Sequence, residues 1–179
     1  KIAYVTGGMG GIGTSICQKL HQDGCLVIAG CGPDSPRKDR WLSEQKALGY
    51  DFHASEGNVG DWTSTVAAFN KVRAEIGTVD ILVNNAGSNP SGTLTETTEE
   101  DWRKSFDLKT FGYINMTRLA CQFMQHKMRG VIVNVIGFAG ERLMAGYVIG
   151  TTANAGLIAF TRAVGSQSTN YGVRVVGVN

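Results

Sequence analysis

The chain lacks several features that would assign it to other classes of protein. It has only 3 Pro in 179 residues, no apolar run as long as a membrane span, and no stretch that resembles a secretory signal. Its 17 Lys+Arg nearly balance 15 Asp+Glu, and the net charge of +2 predicts no nucleic-acid surface. We therefore expect a cytoplasmic protein without a membrane or nucleic-acid partner.

Cysteine and histidine are also sparse, and their spacing predicts no metal site. The four cysteines (Cys17, Cys25, Cys31 and Cys121) form no CxxC pair, and the three histidines show no partner pattern. We expect reduced thiols, since nothing in the spacing calls for a disulfide framework.

Glycine, in contrast, is abundant. The chain has 24 Gly, about double the average usage, which favours tight turns and close backbone contacts. With 42% hydrophobic residues, 179 residues fit a single domain, residues 1–179, with a sizeable core. Because the chain starts at Lys1 and stops at Asn179 directly after an apolar run, we interpret it as a segment of a longer protein.

Short apolar runs alternate with amphipathic stretches along the chain. The predicted strands are Ile2–Val5, Leu26–Ala29, Phe52–Ala54, Ile81–Val83, Val131–Ile136 and Val173–Val178. The predicted helices are Thr14–Gln22, Lys38–Leu48, Trp62–Ile76, Thr98–Met128 and Tyr147–Ser166, the fourth opened by a capping box of Thr97 and Glu100. This alternation predicts an α/β fold with a doubly wound parallel sheet, the Rossmann fold.

A glycine loop, Thr6–Gly13, lies between the first predicted strand and the first helix. In that place a diphosphate can rest on helix N-terminal amides with no side chain in the way. No Lys-Ser/Thr pair follows, which excludes a Walker-type loop. The alternative is a turn that merely packs helix on strand. The binding candidates in this loop are Gly7, Met9, Gly11, Ile12 and Gly13.

The end of the second strand favours NADP(H) over NAD(H). No acid stands at Ala29–Gly32 to hold an adenosine ribose, and the hydroxyl of Ser35 and the cation of Arg37 follow instead. Lys38 and Arg40 add charge to the same segment. The carboxylate of Asp34 disfavours a phosphate at this place. Alternatively, these residues are only the solvated start of the second helix.

Further motifs complete a known set. Asn58-Val59 follows the third strand and Asn84-Asn85-Ala86-Gly87 ends the fourth. With the spaced glycines of Thr6–Gly13 they resemble the signature of the classical short-chain dehydrogenases/reductases over essentially the whole chain. The resemblance implies that Asn58 and Val59 flank the adenine, and that Asn85, Ala86 and Gly87 stabilise the sheet and contact the cofactor.

The resemblance is uneven along the chain. Residues 1–87 resemble the NADPH-dependent acetoacetyl-coenzyme A reductases, whereas residues 88–179 resemble a divergent branch of the family. The family implies a homo-oligomer, a dimer or a tetramer, and it continues beyond the point that corresponds to Asn179. We therefore expect the C-terminal part of the usual fold to be absent.

The usual catalytic residues of the family are missing. The family uses a Tyr acid, a Lys that lowers the pKa of that Tyr, a Ser that bonds the substrate oxygen, and an Asn that holds a water. The corresponding positions here are Gly150, Asn154, Gly137 and Lys109, respectively.

A rearranged site is one explanation of these replacements. Lys109 and Asn154 look like an exchange of the family's Asn and Lys, and Tyr147 lies one helical turn before Gly150. Our hypothesis gives Tyr147 the role of proton donor and Lys109 that of its electrostatic partner, with Asn154 in the same relay and Thr151 as a further hydroxyl. Alternatively Tyr147 packs at a helix start and Lys109 is a structural lysine.

The sequence predicts an NADP(H)-dependent oxidoreductase. Hydride would pass between the nicotinamide and a small carbonyl or alcohol substrate, with a 3-oxoacyl thioester as one candidate. The alternatives are a catalytically impaired dinucleotide-binding or scaffold member of the family, and a fragment without activity of its own.

Overall fold

The computed structural model describes all 179 residues, Lys1–Asn179. Six parallel strands form one sheet in the order β3-β2-β1-β4-β5-β6. The strands are β1 Ile2–Val5, β2 Leu26–Cys31, β3 His53–Glu56, β4 Ile81–Asn84, β5 Gly130–Val135 and β6 Val173–Val178. The strand order reverses between β1 and β4, which is where sheets of this type bind ligands. The doubly wound parallel sheet predicted from the sequence is therefore confirmed.

The helices follow the strands in alternation. They are α1 Gly11–Gln22, α2 Lys38–Ala47, α3 Trp62–Glu75, α4 Glu99–Ser105, α5 Gly112–His126 and α6 Val148–Ser168. The stretch predicted as helical, 98–128, is helical from Glu99 to His126, but a π-helical segment within it, Phe106–Phe111, separates α4 from α5. None of the helices is both long and apolar enough to cross a bilayer.

The capping box at the start of α4 involves other residues than the sequence predicts. Thr98 Oγ1 accepts a hydrogen bond from the Asp101 amide at 3.2 Å, and the Asp101 carboxylate accepts one from the Thr98 amide at 2.9 Å. The hydroxyl of Thr97 accepts instead from the Trp102 indole at 3.1 Å. The pairing of Thr97 with Glu100 is therefore wrong by one residue, because the indole occupies the Thr97 oxygen.

Two apolar clusters cover the two faces of the sheet. Consecutive residues of β1 enter different clusters, with Tyr4 on the α3/α5 side and Val5 on the α1/α2 side. Ile28 and Val27 divide in the same way on β2. Burial on both faces is typical of a parallel sheet between two helical layers.

A buried chain of amides and hydroxyls ties two helices to the centre of the sheet. Asn84 and Asn134 face each other in register on β4 and β5, and Asn84 Nδ2 donates to Asn134 Oδ1 at 2.8 Å. Asn84 also donates to Thr117 of α5 at 3.0 Å, and Asn134 donates to Thr161 of α6 at 2.9 Å. These bonds fix α5 and α6 relative to the carboxyl ends of β4 and β5.

Candidate functional site

The glycine loop opens a cavity of about 490 Å³ at the carboxyl ends of the central strands. Helix α1 has no side-chain cap, and the amides of Gly11, Ile12 and Gly13 donate to no acceptor within the chain. Free amides at a helix start carry partial positive charge. This wall of the cavity therefore presents unpaired donors to an anion.

The glycines in this loop have two different roles: some pack closely against the sheet, and one borders the open cavity. A Cβ on Gly8 would lie 2.9 Å from the Cα of Ala29, and a Cβ on Gly13 would overlap the Gly7 carbonyl. A Cβ on Gly11 would meet nothing within 4 Å. Gly8 and Gly13 thus hold the loop against the sheet, while Gly11 leaves the cavity clear.

The segment after β4 forms the opposite wall and is bonded to the loop. Asn85 Nδ2 donates to the carbonyls of Thr6 and Gly7, both at 3.1 Å. The Thr6 hydroxyl accepts from the amides of Asn85 and Ala86 at 2.9 and 3.0 Å. Thr6 and Asn85 therefore fix the width of the crevice between β1 and β4.

A second cavity of about 230 Å³ adjoins the first and shares Gly7, Gly30 and Ala86 with it. Asn58 and Val59 line it. The twelve residues selected from the sequence as cofactor contacts all line one or other of the two cavities. They are Gly7, Met9, Gly11, Ile12, Gly13, Ser35, Arg37, Asn58, Val59, Asn85, Ala86 and Gly87.

The charged residues after β2 separate into two groups. Ser35 and Arg37 line the larger cavity. Lys38 is paired with Glu56 at 3.0 Å, and Arg40 with Glu44 at 2.7 Å, so neither cation faces the cavity. Asp34, whose carboxylate would repel a phosphate, lies outside both cavities, in a turn where its φ is 51°.

Tyr147 occupies the space that a side chain at position 150 would need. A Cβ built on Gly150 would overlap the Tyr147 ring. The hydroxyl of Tyr147 accepts a hydrogen bond from Asn89 Nδ2 at 3.3 Å. The phenol of Tyr147 therefore lies over Gly150, the position that corresponds to the family's catalytic tyrosine.

Lys109 and Asn154 converge on the end of β5 from two different helical segments. Lys109 Nζ, on the π-helical segment, donates to the Ile136 carbonyl at 2.6 Å, and Asn154 Nδ2, on α6, donates to the Gly137 carbonyl at 3.3 Å. Burial lowers the pKa of Lys109 to about 8. Asn154 Oδ1 is buried without a partner. The two side chains thus hold consecutive carbonyls, and one acceptor remains free.

Some contacts in this region differ from the hypothesis drawn from the sequence. Lys109 and Tyr147 share no hydrogen bond. The hydroxyl of Thr151 is bonded to the backbone of Met144 at 3.3 Å, so it is not free for a substrate. Asn89 was not predicted from the sequence, because it belongs to no motif and its partner Tyr147 lies 58 residues further along the chain.

A model of the short chain dehydrogenase family matches residues 1–179. The chain belongs to the short-chain dehydrogenase family. It is 48% identical over 175 residues to an acetoacetyl-CoA reductase of Cupriavidus necator, covering 98% of this chain and 71% of that protein. It is 38% identical to nodulation protein G of Azospirillum brasilense, over 98% of this chain and 71% of that protein. The likeness to the reductase thus extends well past residue 87.

Further short-chain dehydrogenase relatives share the fold. A 3-oxoacyl-[acyl-carrier-protein] reductase, FabG, of Staphylococcus aureus is 31% identical over 99% of this chain and 72% of its own. The crystal structure of a putative gluconate dehydrogenase of Agrobacterium tumefaciens superposes with a TM-score of 0.92 at 26% identity, covering 99% of this chain and 70% of that one. The crystal structure of gox2181 gives the same TM-score at 24% identity and similar coverage, and shows the fold alone.

Proposed function

We propose that the chain binds NADP(H) and transfers a hydride between the nicotinamide and a carbonyl or alcohol substrate. The observation that carries the proposal is the glycine-walled cavity, with its three unpaired amides at the start of α1. A dinucleotide has the matching chemistry, because its diphosphate is an anion that approaches the backbone closely.

Each part of the dinucleotide has candidate contacts in the two cavities. The amides of Gly11, Ile12 and Gly13 would hold the diphosphate, and Asn58 and Val59 would flank the adenine. Of the other wall residues, Gly7, Met9, Asn85, Ala86 and Gly87 line the larger cavity.

Ser35 and Arg37 would hold the 2′-phosphate that distinguishes NADP(H) from NAD(H). Both line the larger cavity, and the cavity lining contains no carboxylate to repel a phosphate. Arg37→Ala is expected to weaken NADPH binding about tenfold or more and to leave NADH binding nearly unchanged. Fluorescence titration of both cofactors measures this, with Arg40→Ala as the matched control. Equal losses for the two cofactors would contradict the assignment.

The chain's own groups would supply the acid–base chemistry. When bound, the nicotinamide supplies the hydride that reduces a carbonyl carbon. The Tyr147 hydroxyl would give its proton to the carbonyl oxygen, with the Lys109 ammonium stabilising the phenolate left behind. Asn154 Oδ1, buried without a donor, would accept a hydrogen bond in the same relay.

We propose a 3-oxoacyl thioester as the substrate. Two relatives that support this are named acetoacetyl-CoA reductase and 3-oxoacyl-[acyl-carrier-protein] reductase. Acetoacetyl-coenzyme A contains both a ketone and a thioester, and the ketone is the group that would be reduced.

The decisive experiment follows the loss of NADPH absorbance with acetoacetyl-coenzyme A. Tyr147→Phe is expected to lower kcat about 100-fold, since it removes the proton donor. Tyr171→Phe, which makes the same change in the short 3-10 turn after α6, serves as the matched control. Unchanged turnover in Tyr147→Phe would remove Tyr147 from the mechanism.

A second function is favoured by one specific observation. All four positions that carry the family's usual catalytic groups are replaced, by Gly150, Asn154, Gly137 and Lys109. A dinucleotide-binding member that is catalytically impaired, or one that acts as a scaffold, would bind NADPH tightly and turn over no carbonyl. Binding without turnover across a panel of carbonyls would support this function over the first.

A further inference from the structure

We infer that Asn89 is a positioning residue for Tyr147, holding its phenol oxygen so that the phenol proton is free for the substrate. The inference rests on the proposed function, in which Tyr147 is the proton donor. It adds a residue that lies outside the cofactor cavities and that no motif marks.

The contact joins the loop after β4 to the start of α6. Asn89 Nδ2 lies 3.3 Å from the Tyr147 hydroxyl oxygen. The other amide atom, Asn89 Oδ1, is buried and has no partner. No other polar group of the chain is hydrogen-bonded to the Tyr147 side chain. Asn89 is therefore the one side chain that fixes where this phenol oxygen lies.

The backbone around the contact is clamped, so the distance between the two side chains is set by the fold. The Gly92 amide donates to the Gly146 carbonyl at 2.7 Å, and the Val148 amide donates to the Gly92 carbonyl at 3.2 Å. These bonds form a parallel bridge between Gly92 and Tyr147. The loop that carries Asn89 cannot slide along the start of α6 without breaking them.

The ring of Tyr147 is held on its other side by the surface of α6. Gly150 gives the ring the space that a larger residue would fill. With the ring set by Gly150 and the oxygen set by Asn89, the phenol has little freedom. A proton donor gains rate from such fixed geometry.

The direction of the hydrogen bond gives Asn89 a chemical effect beyond packing. The amide N–H donates, so it uses a lone pair of the phenol oxygen and leaves the O–H free to donate to a carbonyl oxygen. When that proton has left, the same N–H faces a phenolate, and hydrogen bonds to ions are about twice as strong as neutral ones. Asn89 would therefore stabilise the charge that develops on Tyr147 as the proton is transferred.

The variant that isolates this effect is Asn89→Asp, which keeps the size of the side chain and replaces the donor by an acceptor. The first arm of the test uses NMR on the protein labelled at tyrosine Cζ with carbon-13. Loss of a signal in Tyr147→Phe assigns Tyr147 among the five tyrosines. We expect Asn89→Asp to move that signal and Asn70→Asp, an exposed control on α3, to leave it in place. An unmoved signal in Asn89→Asp would overturn the contact.

The second arm is a double-mutant cycle on turnover of acetoacetyl-coenzyme A with NADPH. Asn89→Asp is expected to lower kcat about tenfold with little change in KM, and to cost nothing further in a Tyr147→Phe background. Asn89→Gln, which keeps the amide donor, is expected to recover part of the loss.

The outcomes separate the two proposals. If Tyr147→Phe loses activity while Asn89→Asp does not, or if the two losses simply multiply, the proposed function stands and the role of Asn89 is wrong. If Tyr147→Phe is fully active, Tyr147 is not the proton donor and the positioning role of Asn89 falls, while the NADPH-dependent reduction stands. If the native chain shows no turnover at all, the proposed function itself fails, whatever the NMR signal does.

Discussion

At the scale of single residues, the ring of Tyr147 fills the space that Gly150 leaves empty. A phenol is therefore present in this region although position 150 has no tyrosine. A side chain at position 150 and the ring of Tyr147 need the same space. The spacing in the sequence places Tyr147 one turn from Gly150, but it does not show that the ring folds over the glycine. That fact depends on the non-helical backbone of Tyr147, with φ of −143° and ψ of 45°.

Restoring a tyrosine at position 150 alone is expected to harm the fold. Gly150→Tyr should lower the free energy of unfolding by about 1–3 kcal/mol, because two rings compete for one buried space. Adding Tyr147→Ala to Gly150→Tyr should recover much of that loss. Urea unfolding measures both variants, with Gly156→Tyr, at an open surface of α6, as the control. Strictly additive losses in the double variant would contradict the shared space.

Lys109 gives the stability of the chain a pH dependence. Its pKa falls from 10.5 to about 8 on burial. Between these two pH values the unfolded chain binds more protons than the folded chain, so the stability contributed by this residue rises as the pH increases. Below pH 8 the amine is charged in both states and its contribution is constant.

The variant that exposes this dependence is Lys109→Met. The native chain is expected to gain stability relative to Lys109→Met as the pH rises from about 8 to 10, and to show no relative change between pH 6 and 7. Unfolding by urea at each pH measures the difference. A difference that stays constant from pH 7 to 10 would show that the amine keeps its ordinary pKa in the folded chain.

At the scale of elements, the strands were predictable from the sequence, and the π-helical segment between α4 and α5 was not. The run Val131–Val135 of β5 is β-branched except at Asn134, with Ile132 buried on one face and the three valines half-buried on the other, and such runs indicate strands whatever surrounds them. The π-helical segment Phe106–Phe111 has no proline or turn signal within it. It is held by tertiary contacts, since the backbone of Asp107 lies against Gly60 and the side chain of Val59 against Gly112. Such packing cannot be inferred from periodicity.

The start of α4 offers a test of an element boundary. Thr98→Ala is expected to lower the free energy of unfolding by about 1 kcal/mol, because the Asp101 amide loses its acceptor. Thr63→Ala, at an exposed position of α3, is the control and should change stability little. Thermal unfolding compares the two. Equal melting temperatures for Thr98→Ala and the native chain would contradict the capping box seen here.

At the scale of the whole molecule, the two halves of the chain supply different parts of the candidate site. Apart from Leu108, the cavity lining comes from residues between Tyr4 and Gly87, at the ends of β1 and β2 and in the segments that follow β1, β2, β3 and β4. Lys109 and Asn154 come from helical segments of the second half, and Tyr147 directly precedes α6. The first set was predictable because the carboxyl ends of parallel strands meet at one edge. In the second set the sequence indicates the residues but not their contacts, which join Lys109 to Ile136 and Tyr147 to Asn89.

The binding of a dinucleotide diphosphate by the free amides at the start of α1 underlies every other proposal here, and Gly11→Asp tests it. A Cβ at this position meets no other atom, so the fold should be kept while a carboxylate enters the anion site. NADPH titration is expected to show at least about 100-fold weaker binding in Gly11→Asp. Gly156→Asp, the same change on the open face of α6, should bind NADPH like the native chain. Native NADPH affinity in a folded Gly11→Asp would show that the diphosphate does not rest on these amides.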